Sequence, residues 1–151
     1  MSRPTAVLAL LLLTGCDRTD GGATARVGDV TVRRAVAWTM SAAHSATAGF
    51  EIDVDGQGDT LLGVSSPAGR AGLHATKSAT GNGMQPIPAL PLGVGRTVLD
   101  GRAVHVMVDD LRTDIPVGGT LPLELRFARA GTVTLQVPVL RFSEALSVLG
   151  R

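Results

Sequence analysis

Strict alternation of apolar and polar residues recurs along this chain, and it constrains the fold more than any other feature. Phe50, Ile52 and Val54 alternate with three carboxylates. Segments 120–128 and 132–140 place Leu, Val or Phe at every second position. Successive side chains of a β-strand point to opposite faces of its sheet, so a period of two residues predicts half-buried strands.

Turn-forming residues separate these segments. Before the C-terminus no segment has a sustained period of 3.6 residues, and residues 142–151 are expected to form one or two helical turns or a frayed end. Pro122 and Pro138 cannot donate to a strand ladder, so they are expected at sheet edges or bulges. Many short strands between turns predict an all-β antiparallel sandwich or barrel. The turn signals are Asp55-Gly56-Gln57-Gly58, Ser66-Pro67, Asp100-Gly101, Gly118-Gly119 and the hairpin connection Arg129-Ala130-Gly131.

The N-terminal segment has the composition of an export signal. Arg3 supplies a positive charge, the apolar run 6–13 follows, and small residues come next. This run is too short to span a bilayer, which needs about 20 apolar residues in a helix. The alternative is an apolar first strand of the domain.

Cys16, the single cysteine of the chain, ends the sequence Leu-Thr-Gly-Cys. This sequence resembles the lipobox of bacterial lipoproteins, in which the cysteine is lipidated. We therefore expect a signal peptide over 1–15, a lipidated Cys16 with a flexible tether over 16–25, a β-sandwich domain over 26–141 and a tail over 142–151. The protein is then extracytoplasmic and anchored to a membrane by lipid. Plain secretion with a free thiol is the alternative.

Composition argues against nucleic-acid binding, and the absence of catalytic motifs argues against an enzyme. The formal net charge is +1, and the chain has three Phe, one Trp and no Tyr, without a basic patch. Nucleic-acid binding is therefore not expected. We also expect no enzyme, because the sequence has no Ser-His-Asp order with supporting motifs, no Gly-rich phosphate loop and no paired-carboxylate context.

Histidine and methionine are sparse, with three His and four Met including the initiator. On a strand, His105 and Met107 share one face about 6–7 Å apart, while the flanking valines suit a core. Two more such ligands would complete a four-ligand site. Singly, each residue is more often core filler or a structural histidine. The candidate ligands are His74, Met84, His105 and Met107.

The donor types select the metal. Thioether sulfur is a poor ligand for hard cations and a good one for Cu(I), and imidazole accepts copper. Zinc sites are usually built from Cys, His and carboxylates, most of which this set lacks. Met40 and His44, four residues apart, suggest either a second weak site on a helical turn or a solvated loop, of which we favour the loop.

Residues 49–139 resemble the PCuAC copper-chaperone domain. His74 matches the first His of that family's pattern, Met84 before Gln85-Pro86 matches a Met that usually precedes Arg-Pro, and His105 and Met107 match the closing His-x-Met. The flanks LLGVSSPAG and IPVGGTLPLELRFARAGTVTLQVPV agree as well. Ala75 replaces a frequent Met, and the spacer 86–103, expected to be a loop, is one residue short.

The resemblance implies a cupredoxin-like antiparallel Greek-key β-sandwich that binds one Cu(I) per chain near one end. It also implies a metallochaperone, expected to be monomeric, that delivers copper to the CuA site of cytochrome c oxidase subunit II, alongside a Sco-type protein. An electron-transfer cupredoxin needs a Cys thiolate with two His, and the single Cys lies at the anchor. A metal-free β-sandwich lipoprotein that serves as a binding or structural module remains the alternative.

Overall fold

The computed structural model describes residues 21–77 and 83–150; the expected signal peptide and Cys16 lie outside them. Within these residues the chain forms mostly short strands and one α-helix. The strands are β1 (Ala23–Val27), β2 (Val30–Met40), β3 (Ser45–Val54), β4 (Asp59–Ser65), β5 (Arg70–Thr76), β6 (Met84–Ile87), β7 (Leu90–Leu92), β8 (Gly95–Leu99), β9 (Val104–Asp109), β10 (Thr120–Phe127) and β11 (Thr132–Pro138); a 3-10 turn covers Ser41–Ala43 and α1 covers Phe142–Leu149.

The strands form two antiparallel sheets that share one core. The larger sheet has the order β1-β2-β3-β9-β5-β6, and β8 pairs with the same edge of β3 that β9 uses. The smaller sheet has the order β11-β10-β4-β7. Phe50 and Ile52 of the larger sheet and Leu121 and Leu123 of the smaller sheet belong to one buried cluster. The predicted all-β sandwich is therefore confirmed.

The alternating segments form strands as predicted. Phe50, Ile52 and Val54 are buried, and β10 and β11 form an antiparallel hairpin whose apolar positions face the core. Pro138 ends β11, an edge strand, and Pro122 precedes the part of β10 that pairs with β4. Neither proline interrupts a two-sided ladder, which confirms their expected placement.

The expected loop over 86–103 is wrong. Residues 86–103 contain the end of β6 and the whole of β7 and β8. These three strands pair with β5, β4 and β3 respectively. These strands have four, three and five residues, separated by Pro and Gly positions. Strands this short show too few alternations for a period of two to be visible.

Both ends of the expected domain carry additional structure. β1 begins at Ala23, upstream of the expected start at Arg26, and pairs with β2. At the other end α1 packs on the outer face of the larger sheet, where Val148 and Leu149 meet Val36 and Trp38.

No helix of the described residues is long and apolar enough to cross a membrane.

Gly49 makes room for α1. A Cβ at this position would lie 2.6 Å from the carbonyl oxygen of Leu99 and 2.7 Å from Cδ1 of Leu149. Both distances are far below van der Waals contact. The helix can therefore approach β3 closely only because residue 49 has no side chain.

Asp59 ties the hairpin turn between β10 and β11 to the start of β4. Its carboxylate accepts backbone N–H groups from Thr60 at 2.7 Å and from Arg129 and Ala130 at 2.9 Å. Burial alone would raise the pKa of Asp59, but the three N–H donors and the nearby Arg129 charge outweigh it, so the pKa is lowered. The ionised carboxylate thus acts as a clamp between the two segments.

Candidate metal centre

The register of β5 and β9 brings the two predicted histidines together. His74 lies directly opposite His105 in the antiparallel pair. Side chains of directly opposed residues project from the same face of a sheet. The two imidazole rings stack with centroids 6.2 Å apart and planes inclined by 21°.

Met84 joins the histidines from the neighbouring edge strand. It is the first residue of β6 and lies opposite Thr76 of β5, two residues beyond His74 and hence on the same face. Its Sδ lies 3.0 Å from Nε2 of His105. Met84 is 52% exposed, whereas His105 is 1% exposed.

Met107 occupies the same face one step along β9. It lies opposite Gly72 of β5 and opposite Thr47 of β3. A Cβ on Gly72 would lie 3.6 Å from Cε1 of His74, at ordinary van der Waals distance, so Gly72 lies beside the His74 ring. The structure therefore places all four predicted residues on one sheet face, and β9 turns Val106 and Val108 into the core.

Gly72 is a residue that the sequence analysis missed. It lies two positions before His74, so the period of a strand puts it on the ligand face. The spacing of two residues between Gly72 and His74 was visible in the sequence. The pairing of Gly72 with Met107 was not, because it depends on the register of β5 and β9.

The electrostatics of His105 favour its neutral imidazole. Burial lowers the pKa of His105, and the charge that a protonated His74 would carry lowers it further. Nδ1 of His74 and Nδ1 of His105 are buried and have no hydrogen-bond partner among residues 21–77 and 83–150. A neutral imidazole is the form that binds metal.

The four side chains offer two imidazoles and two thioethers. Typical metal–nitrogen and metal–sulfur bonds at a tetrahedral angle separate N from S by about 3.5 Å. The 3.0 Å contact between Met84 and His105 must therefore widen for an ion to enter. Met84 is the exposed partner, on an edge strand, and is the side chain free to move.

The four candidate ligands include no carboxylate and no thiol. The residues that the structure describes hold no group of three or more His, Cys, Asp and Glu side chains placed to bind a metal. Met40 and His44 lie elsewhere, around the 3-10 turn between β2 and β3. They line a cavity to which none of the four predicted residues contributes.

Comparison with known proteins gives a family and a fold. The model of the LpqE-like family, described as lipoprotein LpqE-like, matches residues 26–139. No curated protein matches the sequence significantly. The copper-bound PCuAC domain from PmoF2 is similar in structure, with a TM-score of 0.67, 21% identity, and coverage of 78% of this chain and 97% of that domain.

Two further solved structures share the fold. The apo PCuAC domain from PmoF1 has a TM-score of 0.65 and 22% identity, over 78% of this chain and 98% of that domain. The Cu(I) form of DR1885 from Deinococcus radiodurans has a TM-score of 0.61 and 20% identity, over 85% of this chain and 84% of that protein. The TM-scores show that the chain shares the PCuAC-type, cupredoxin-like sandwich of these structures.

Proposed function

Because this chain belongs to the LpqE-like family and has the fold of PCuAC domains, we propose that it is an extracytoplasmic metallochaperone for Cu(I). One observation carries the proposal: His74 and His105 are directly paired across β5 and β9. The sulfur of Met84 contacts His105, and Met107 lies on the same face of the sheet. The solved relatives include a copper-bound and a Cu(I)-bound domain, which supports the same reading.

The donor set supports Cu(I) over other ions. Two thioethers and two neutral imidazoles bring no negative charge, so a monovalent soft ion suits them better than a hard divalent one. Cu(I) is a d¹⁰ ion without a geometric demand from its d electrons, so donors from three neighbouring strands are sufficient. The expected stoichiometry at this centre is one Cu(I) per chain.

The destination and the anchor belong to the same proposal. The chain carries copper to the CuA site of cytochrome c oxidase subunit II, in cooperation with a Sco-type protein, and catalyses no reaction itself. Cys16 carries the lipid that holds it at the membrane, and residues after Cys16 give the domain reach toward its acceptor. The LpqE-like lipoprotein family supports this location.

An anaerobic Cu(I) titration against a competing chelator tests the copper site. All variants carry Cys16→Ser, so that no thiol competes for copper. We expect one tight equivalent, lost in His105→Ala/Met107→Ala. The matched control is Met40→Ala/His44→Ala, which removes the same residue types elsewhere and should keep the tight equivalent. If the parent chain binds no Cu(I), the metal-free sandwich is the better description.

A transfer assay tests the destination separately. The copper-loaded chain is mixed with the apo CuA domain of subunit II, the two proteins are separated, and the copper in each is measured. Copper should move to the CuA domain. Tight binding of Cu(I) without transfer would keep the site and refute the acceptor.

A further inference from the structure

A second cluster of metal-binding side chains lies outside the proposed Cu(I) centre. The 3-10 turn between β2 and β3 faces the segment 111–117, which follows β9. Between them is an open cavity of about 440 Å³. Met40, His44 and Asp114 supply a thioether, an imidazole and a carboxylate to its lining.

His44 and Asp114 are already spaced for a shared ion. Nδ1 of His44 lies 3.3 Å from Oδ1 of Asp114. Typical metal–nitrogen and metal–oxygen bonds that meet at 90–109° separate N from O by about 2.9–3.4 Å. The side chains of His44 and Asp114 are 69% and 71% exposed, so an ion can reach them from solvent.

The backbone holds His44 in an uncommon conformation. Its φ is 46°, in the left-handed region, which non-glycine residues enter at a cost of about 1–3 kcal/mol. The carbonyl of His44 accepts the backbone N–H of Leu111 at 3.0 Å, which fixes the turn against the segment that carries Asp114. An exposed His–Asp pair alone contributes at most about 1 kcal/mol.

We propose that Met40, His44 and Asp114 form a second metal site, which binds a divalent transition-metal ion, Cu²⁺ in preference to the others. Imidazole and carboxylate suit Cu²⁺, which stands highest among the first-row divalent ions for such donors, and a thioether is a familiar weak axial ligand of copper. This site has a negative carboxylate where the Cu(I) centre has none. The two sites therefore separate copper by oxidation state.

The strand β3 connects the second site to the first. His44 immediately precedes Ser45, the first residue of β3, and Thr47 of that strand lies opposite Met107. The three residue steps from His44 to Thr47 span about 10 Å along a strand. The chain thus offers a site for each oxidation state of copper at one end of the larger sheet.

A Cu²⁺ titration of the chain with Cys16→Ser and His105→Ala/Met107→Ala tests this site without the first one. Electron paramagnetic resonance should report one Cu²⁺ with a single imidazole nitrogen. His44→Ala and Asp114→Asn should each weaken binding at least about tenfold, and Met40→Leu should weaken it less. The matched control is Asp55→Asn, whose carboxylate is also 71% exposed and paired with an arginine, and it should change nothing.

Several results would overturn the proposal. Cu²⁺ binding that is unchanged in His44→Ala would place the ion elsewhere, and Zn²⁺ that competes equally would refute the preference for Cu²⁺. If the multiple variant does not fold, the same titration is run on the Cys16→Ser chain after Cu(I) has filled the first site. The Cu(I) titration tests the first site and the Cu²⁺ titration tests the second. Failure of one proposal therefore does not affect the test of the other.

Discussion

Replacement of His105 by leucine should stabilise the metal-free protein while it abolishes tight Cu(I) binding. His105 is 1% exposed, and its Nδ1 has no hydrogen-bond partner among the described residues. Leaving a buried polar group unpaired costs about 1–3 kcal/mol. Leucine has a similar volume and no polar atom, and such replacements lose less than about 1.5 kcal/mol through imperfect packing.

The net expectation is a gain of about 1 kcal/mol in the free energy of unfolding of the metal-free chain, which corresponds to about 3–6 °C in Tm for a domain of this size. Urea unfolding in the presence of a copper chelator measures this free energy of unfolding. Met107→Leu is the matched control: it removes a sulfur donor from the same strand but no buried polar atom. It should lose copper affinity and leave the free energy of unfolding within about 0.5 kcal/mol.

The pH dependence of the same measurement checks the cause. Because burial lowers the pKa of His105 in the folded state, the unfolded chain takes up its proton first as the pH falls. The stability that is present above the ordinary histidine pKa of about 6.5 is lost as the pH falls toward the folded value. His105→Leu should flatten this loss. A variant that is less stable than the parent by more than about 1 kcal/mol would refute the reasoning, because His105 would then be a satisfied structural residue.

Three further outcomes are expected. Cys16→Ser should release the protein from membranes into the soluble fraction, and retention at the membrane would contradict the lipid anchor. The affinity for Cu(I) should fall between pH 7 and about pH 5, where protons compete for the imidazoles; a constant affinity in chelator competition would argue against ligation by His105. Asp59→Asn should destabilise the domain by about 1–3 kcal/mol in urea unfolding, whereas the exposed Asp55→Asn should not, and equal effects would show that the clamp contributes nothing.

Local patterns in the sequence were sufficient for the strands with long alternation. The segments around Phe50 and within β10 and β11 each carry several apolar residues at a spacing of two, so their inward faces can be read directly. The same period of two residues predicted that His105 and Met107 share one face of β9 and that Val106 and Val108 face the core. These predictions needed no knowledge of neighbouring strands.

Features that depend on contacts between distant residues were not predictable in this way. β6 to β8 are strands because β5, β4 and β3 offer them ladder partners, and their own sequence is too short and too rich in Pro and Gly to show it. The helix α1 depends on the missing side chain of Gly49, about 100 residues earlier in sequence. The resemblance indicated that His74 belongs with His105, but only the register shows that they are directly opposed.

The difference in burial between Met84 and His105 gives the proposed centre an order of release. An ion held there is open to solvent on the side of Met84, at the sheet edge, and closed on the side of His105. If the proposed ligands hold copper, a donor atom of the acceptor would meet Met84 before it could reach His105, so Met84 should exchange before His105. Substitutions in β6 should then change the rate of hand-over more than substitutions at the buried His105 of β9 do.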